Sequence, residues 1–220
     1  MTARDIINTS ILPLTLSDTG LTALNRMDEF NLEALPVIQE GEYLTLLRED
    51  EIFEFNRPDV ALGEFHFPGR IPAAGENQHL LEVLRIFVTY ACDLVAVVDE
   101  RNRYLGCITL KEIMKALASL DILQSPGGII ILEVNVRDYS LSEIAQIVES
   151  NDAKVMGLFT STPPDSTRMS ITLKTNLIDI SPILATFSRY DYTIVASYGQ
   201  GALDDLLRDR YDSLMNFLNI

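Results

Sequence analysis

Residues 94–116 run LVAVVDERNRYLGCITLKEIMKA. The apolar run Leu94–Val98 predicts a buried strand, the polar Asp99–Arg103 a turn, Tyr104–Thr109 a second strand, and Ile113, Met114 and Leu117 a helix. The same order occurs earlier in LPVIQEGEYLTLLREDEIFEF, residues 35–55. Leu21 aligns with Leu81, Leu24 with Leu84, Val37 with Val97 and Ile38 with Val98, an offset of sixty. After the turn the second copy is one residue longer, so Tyr43, Leu44, Glu51 and Ile52 fall on Tyr104, Leu105, Glu112 and Ile113. Insertion-tolerant loops allow such a change of register. The pattern is an internal duplication of about sixty residues, longer than the units of solenoid arrays and present twice.

This repeat resembles the CBS domain, whose tandem pair is called a Bateman module. The likeness is carried by Ser17-Asp18-Thr19-Gly20-Leu21-Thr22-Ala23-Leu24, by Leu35-Pro36-Val37-Ile38-Gln39-Glu40-Gly41, and by Leu105-Gly106-Cys107-Ile108-Thr109-Leu110-Lys111-Glu112-Ile113. The last matches the family's glycine, apolar pair, Ser or Thr, two residues and Asp, with Glu112 where Asp is usual. Within the repeats, Ser17 and Asp18 are expected to cap a helix that turns Leu21, Leu24 and Met27 inward. The helix over 79–91 is expected to turn Leu81, Leu84 and Val88 inward, and Pro58 to close the first repeat.

Pro126-Gly127-Gly128 is the strongest break in the chain, and the pattern changes after it. Ile129–Val136 predicts a strand; Ser140, with Glu143 three residues on, predicts a capping box opening a helix striped by Leu141, Ile144, Ile147 and Val148. Strands follow at 155–160 and 169–173, then a helix begun by Ser181-Pro182 and a last strand at 192–196. Strand, helix, strand, strand, helix, strand is the split ferredoxin-like order. Val134-Asn135-Val136-Arg137-Asp138, Ile144-Ala145-Gln146-Ile147 and Tyr190-Asp191-Tyr192-Thr193-Ile194-Val195 make it similar to the ACT domain, a small-molecule-sensing module. The turn Asp138-Tyr139-Ser140-Leu141 lacks the family's ligand-turn glycine. In the tail, Leu207, Tyr211, Leu214 and Leu218 predict one more amphipathic helix.

The expected fold class is therefore mixed α/β (α+β): two CBS repeats (1–57 and 58–125) forming a Bateman module, a ferredoxin-like βαββαβ ACT-like domain (127–198) and a C-terminal helix (199–220). This combination resembles the acetoin-utilisation AcuB-type family.

Composition limits the function. The 220 residues carry 17 basic and 32 acidic side chains, a formal charge of −15. Such a field repels polyanions and no basic patch interrupts it, so neither nucleic acid nor an anionic membrane is an expected partner. No apolar run approaches the roughly 18 residues that span a bilayer, and Met1-Thr2-Ala3-Arg4-Asp5 leads into no signal-peptide core. A cytoplasmic protein is expected, with Cys92 and Cys107 as buried free thiols rather than a disulfide or redox pair. His66 and His79 stand apart from each other and from cysteine, leaving a metal site or a His-centred triad little to build on.

The CBS resemblance implies an adenosine ligand in the cleft between repeats: AMP, ADP, ATP or S-adenosylmethionine. It places the motif carboxylate on the ribose hydroxyls and the Ser or Thr near the phosphates. Carried over by position, the second site offers Thr109 and Glu112, and the first offers Arg48 and Glu51. A carboxylate suits a diol because it accepts two charge-assisted hydrogen bonds. The implied function is a non-catalytic regulatory sensor, a homodimer acting on a regulated protein partner; the alternative is a ligand-free dimeric scaffold. An enzyme is not expected, since no nucleophile–base pair, metal cluster or phosphate loop occurs at motif spacing.

Overall fold

The computed structural model describes residues 1–67, 69 and 71–199. The expected helix at Asp204–Leu218 lies outside the described residues. Contacts divide the chain into two compact units, Met1–Ala118 and Ser119–Ile220.

In the first unit, β1 (Leu14–Thr15), α1 (Gly20–Phe30), β2 (Ala34–Gln39), β3 (Glu42–Arg48) and α2 (Glu49–Phe55) make one half. The other half repeats them as β4 (Ala74–Gly75), α3 (Leu80–Tyr90), β5 (Leu94–Val98), β6 (Tyr104–Thr109) and α4 (Leu110–Ala118). Each half builds a three-stranded sheet, β1-β2-β3 and β4-β5-β6, with its short strand parallel and its hairpin antiparallel. The duplication is also visible in the backbone bonds that join the halves. Tyr43 N donates to Asn102 O and Tyr104 N to Gly41 O, both at 3.0 Å. Those pairs exchange places under the alignment of the two copies, so the halves are related by an internal near-dyad.

The lead-in segments are exchanged between the halves. Ala3, in a single 3-10 turn at Ala3–Ile6, is fully buried among Val83, Phe87, Ile108 and Ile113 of the second half. Leu62, in a 3-10 turn at Leu62–Glu64, is fully buried with Met27, Leu35 and Ile52 of the first. Asn8 then pairs with Cys107 as an antiparallel bridge, adding a strip of backbone to β6. The boundary at 57/58 is thus one of sequence and not of packing.

One expected cap and parts of two expected helix faces are corrected. The cap of α1 is Thr19, whose side chain accepts from Thr22 N, while Asp18 accepts from Thr15 at 2.7 Å. On α3 the buried residues are Leu80, Val83 and Phe87, whereas Leu81 is 64% and Val88 80% exposed. Leu21, aligned with Leu81, is likewise exposed. An apolar stripe wide enough to wrap the helix leaves its inward face ambiguous by one residue, and the docked hairpin decides it.

The second unit opens with α5 (Asp121–Gln124) and continues β7 (Ile129–Asn135), α6 (Leu141–Glu149), β8 (Val155–Ser161), β9 (Arg168–Thr175), α7 (Ser181–Arg189) and β10 (Thr193–Tyr198). Its antiparallel sheet runs β10-β7-β9-β8, so the first and third strands are central and the ferredoxin-like order holds. Ile144, Ile147 and Val148 of α6 and Ile183, Leu184 and Phe187 of α7 are buried in a core shared with Ile130, Leu132, Ile171 and Leu173. The expected break at Pro126 lies inside this unit: a Cβ on Gly157 of β8 would come within 2.2 Å of Ile122 Cδ1, so α5 packs on the strand. The capping box at Ser140 is half formed. Glu143 N donates to Ser140 Oγ at 3.3 Å, but the Glu143 carboxylate accepts from Tyr192 Oη at 2.8 Å instead of returning to the helix start. Leu141, expected in the buried stripe, is exposed.

Candidate functional site

The first unit contains a cleft of about 1010 Å³, bordered by the start of α4, the end of α1, the residues before β2 and β5, and the strip at Asn8–Ile11. Leu24, Met27, Phe30, Leu32 and Ile11 give it an apolar side; Asn8, Ser10, Thr109 and Glu112 give it a polar one. Thr109 is the last residue of β6 and Glu112 lies in the first turn of α4. The backbone therefore delivers both side chains to the same mouth.

Their geometry is that of a helix cap. Glu112 Oε2 accepts from Thr109 N at 3.2 Å and from Thr109 Oγ1, while Lys111 N donates to Thr109 Oγ1 at 3.2 Å. Glu112 Oε1 accepts from Asn8 Nδ2 at 3.3 Å, and Lys115 Nζ stands 4.0 Å away. Burial alone would push this carboxyl up, but the bonds from the Thr109 side chain and backbone and from Asn8 outweigh it and hold it below the usual glutamate range. A carboxyl depressed on folding stabilises the fold above its unfolded value, near 4.5, and loses that contribution as pH falls through the folded value. Glu112→Gln keeps the capping geometry without the charge. Urea titrations should show the wild type more stable near neutral pH and the two curves converging in acid; a constant gap down to acid would sink the assignment.

The first half repeats the arrangement with different occupants. Glu51 Oε2 accepts from Arg48 N at 2.8 Å, closing the start of α2. The Arg48 guanidinium donates to the Tyr90 carbonyl at the last turn of α3, where the helix dipole favours a cation. Arg48 lines a smaller recess of about 370 Å³ with Ala34, Asp50 and Phe53. Sequence reasoning grouped Thr109 with Glu112 and Arg48 with Glu51, and the structure brings each pair together. It also gives all four internal partners.

Four contributors to the cleft escaped the sequence. Asn8 reaches the cleft only because the lead-in crosses to the second half. Glu33 and Asp93 are equivalent under the sixty-residue offset, and Asp93 Oδ2 accepts from Glu33 N at 2.6 Å across the pseudo-dyad. Both backbone carbonyls are used alike: Glu49 N donates to Glu33 O at 3.0 Å and Leu110 N to Asp93 O at 3.3 Å. The alignment of the copies carried that signal. Cys92 also lines the cleft, and burial, aided by the Asp93 charge, pushes its thiol up. Cys107 is free and buried below, its thiol pushed up to about 12 chiefly by burial.

Residues 69–119 match the CBS domain. The match takes in α3, the β5–β6 hairpin and α4, and so covers Thr109 and Glu112. The other half of the unit repeats the same strand order and register, which makes the unit a pair of CBS-type repeats, the arrangement of a Bateman module. Among solved structures, the chain is similar to a CBS domain pair/ACT domain protein from Thermotoga maritima, at 19% identity over 53% of this chain and 96% of that one, with a TM-score of 0.46. It is similar to CBSX2 in complex with AMP, at 16% identity over 55% and 98%, TM-score 0.47. It is also similar to the CBS domains of a transcriptional regulator from Streptococcus pneumoniae, at 18% identity over 52% and 98%, TM-score 0.46. Among the described residues no helix is long and apolar enough to cross a membrane, and no group of three or more His, Cys, Asp or Glu is placed to hold a metal ion.

Proposed function

We propose that this chain is a non-catalytic regulatory sensor that binds an adenosine ligand in the cleft at Thr109 and Glu112. The observation that carries the reading is the cleft itself. It has the size of a small-molecule site, is apolar on one side and polar on the other, and opens at the CBS motif. Both halves of the pair contribute to its wall, so a ligand that prefers one arrangement of the halves shifts their equilibrium by its differential affinity. A partner protein or the ferredoxin-like unit reads that change. A second copy covering Leu21, Leu81 and Val88, exposed on α1 and α3, gives dimerisation a physical reason.

The alternative is a dimeric scaffold with no ligand. It is favoured by the internal bonds of Arg48, Glu51, Thr109 and Glu112, which hold the fold without one. A thermal-shift series with adenosine, AMP, ADP, ATP and S-adenosylmethionine separates the two. At a hundredfold excess over its dissociation constant a bound ligand adds about 2.7 kcal/mol, several degrees of Tm. Ser10→Trp, which fills the cleft from its exposed rim, should abolish the shift. A dimer by sedimentation that no adenosine compound stabilises would establish the scaffold reading.

A further inference from the structure

The walls of the cleft are unevenly charged. Asp28, Glu33, Glu49, Asp93 and Glu112 face it, against the single ammonium of Lys111 among the described lining residues. The groups that would receive a phosphate at the start of α4 are already engaged. Leu110 N donates to Asp93 O, Lys111 N to Thr109 Oγ1 and Thr109 N to Glu112 Oε2; the Thr109 hydroxyl itself donates to Glu112. In the first half Glu49 N donates to Glu33 O and Glu51 N to Asp50 Oδ1, and Arg48 is held on Tyr90. A phosphate entering here would break these bonds and sit among carboxylates.

Resting on the reading of this cleft as an adenosine site, we infer that it selects its ligand by the charge of the 5′ substituent. It takes a nucleoside whose tail carries a sulfonium or ammonium and rejects nucleoside polyphosphates. Low-dielectric walls lined by one sign of charge concentrate ions of the opposite sign, so each negative charge on the tail works against binding and each positive charge works for it. The apolar side formed by Leu24, Met27 and Leu32 is indifferent to that charge and serves the flat base. Lys111 is exposed and screened, as are Asp28, Glu33 and Glu49, so at the rim one ammonium stands against three carboxylates, with the half-buried Asp93 and Glu112 behind them.

The test is calorimetric titration of the full chain with S-adenosylmethionine, its thioether counterpart S-adenosylhomocysteine, which lacks only the sulfonium methyl and its charge, AMP and ATP, at low and high salt. S-adenosylmethionine should bind more tightly than the thioether and at least about tenfold more tightly than AMP, with ATP weaker still. Raising the salt should compress that order, because part of the discrimination is screened. The double variant Asp28→Asn, Glu33→Gln should compress it further; both side chains are exposed and their removal spares the core. AMP or ATP binding as tightly as S-adenosylmethionine, or an order insensitive to salt and to the double variant, overturns the inference and leaves the adenosine reading standing. No binding of any of the four overturns both.

Discussion

Gly106→Val is expected to destabilise the first unit by about 3 kcal/mol, near the upper end for single substitutions, because two penalties fall on one position. Gly106 sits in β6 at φ +150°, a conformation that side-chain-bearing residues rarely adopt. A Cβ there would stand 2.8 Å from Asn8 O and 2.9 Å from Ile7 Cγ1. The pairing register slips at the same place: Val97 faces Gly106 but Val98 faces Tyr104. Asn8 O accepts from Cys107 N at 3.0 Å, so relieving the clash lifts the lead-in strip off β6 and draws Asn8 away from Glu112. A lowered urea midpoint should therefore be accompanied, in the remaining folded protein, by weaker binding of the adenosine ligand proposed for the cleft. Stability and affinity both within error of wild type would refute the account.

Phe187→Ala should cost the ferredoxin-like unit about 4 kcal/mol, the range for emptying a buried aromatic site. Phe187 is fully buried in the core with Ile144, Ile180 and Leu173. Its ring meets Tyr192 edge-on, with centroids 5.3 Å apart and planes at 70°, a geometry that adds about 1 kcal/mol beyond area burial. Tyr192 in turn donates to Glu143 at the start of α6, so one cavity loosens α7, β10 and α6 together. Burial first, and Glu143 second, push the Tyr192 phenol up to about 12. Spectrophotometric titration of the variant should bring that phenol back toward its ordinary value. A denaturation loss below about 1 kcal/mol would show that the core collapses onto the space.

What could be read in the chain followed periodicity and repetition. The paired β2–β3 and β5–β6 hairpins were legible because runs such as Leu94–Val98 are continuously apolar, as strands buried on both faces must be. The pairs Thr109–Glu112 and Arg48–Glu51 were picked out through the resemblance to the CBS motif; their contact follows from a three-residue spacing at a helix start, which brings side chain and amide together. Helix faces were harder. Leu80 and Leu81 are equally apolar, and only packing against the hairpin distinguishes them.

The sequence by itself determined the duplication, the hairpin of each repeat and the strand–helix order of the ferredoxin-like unit, because these follow from propensity, periodicity and turn chemistry along the chain. Tertiary structure alone decided that Ala3 fills the second half and Leu62 the first, that Asn8 reaches Glu112, and that Asp93 holds the Glu33 amide. It also decided that α5 belongs with the ferredoxin-like unit. These are contacts between segments tens of residues apart, set by which faces remain to be covered once the sheets have formed. No local pattern encodes them.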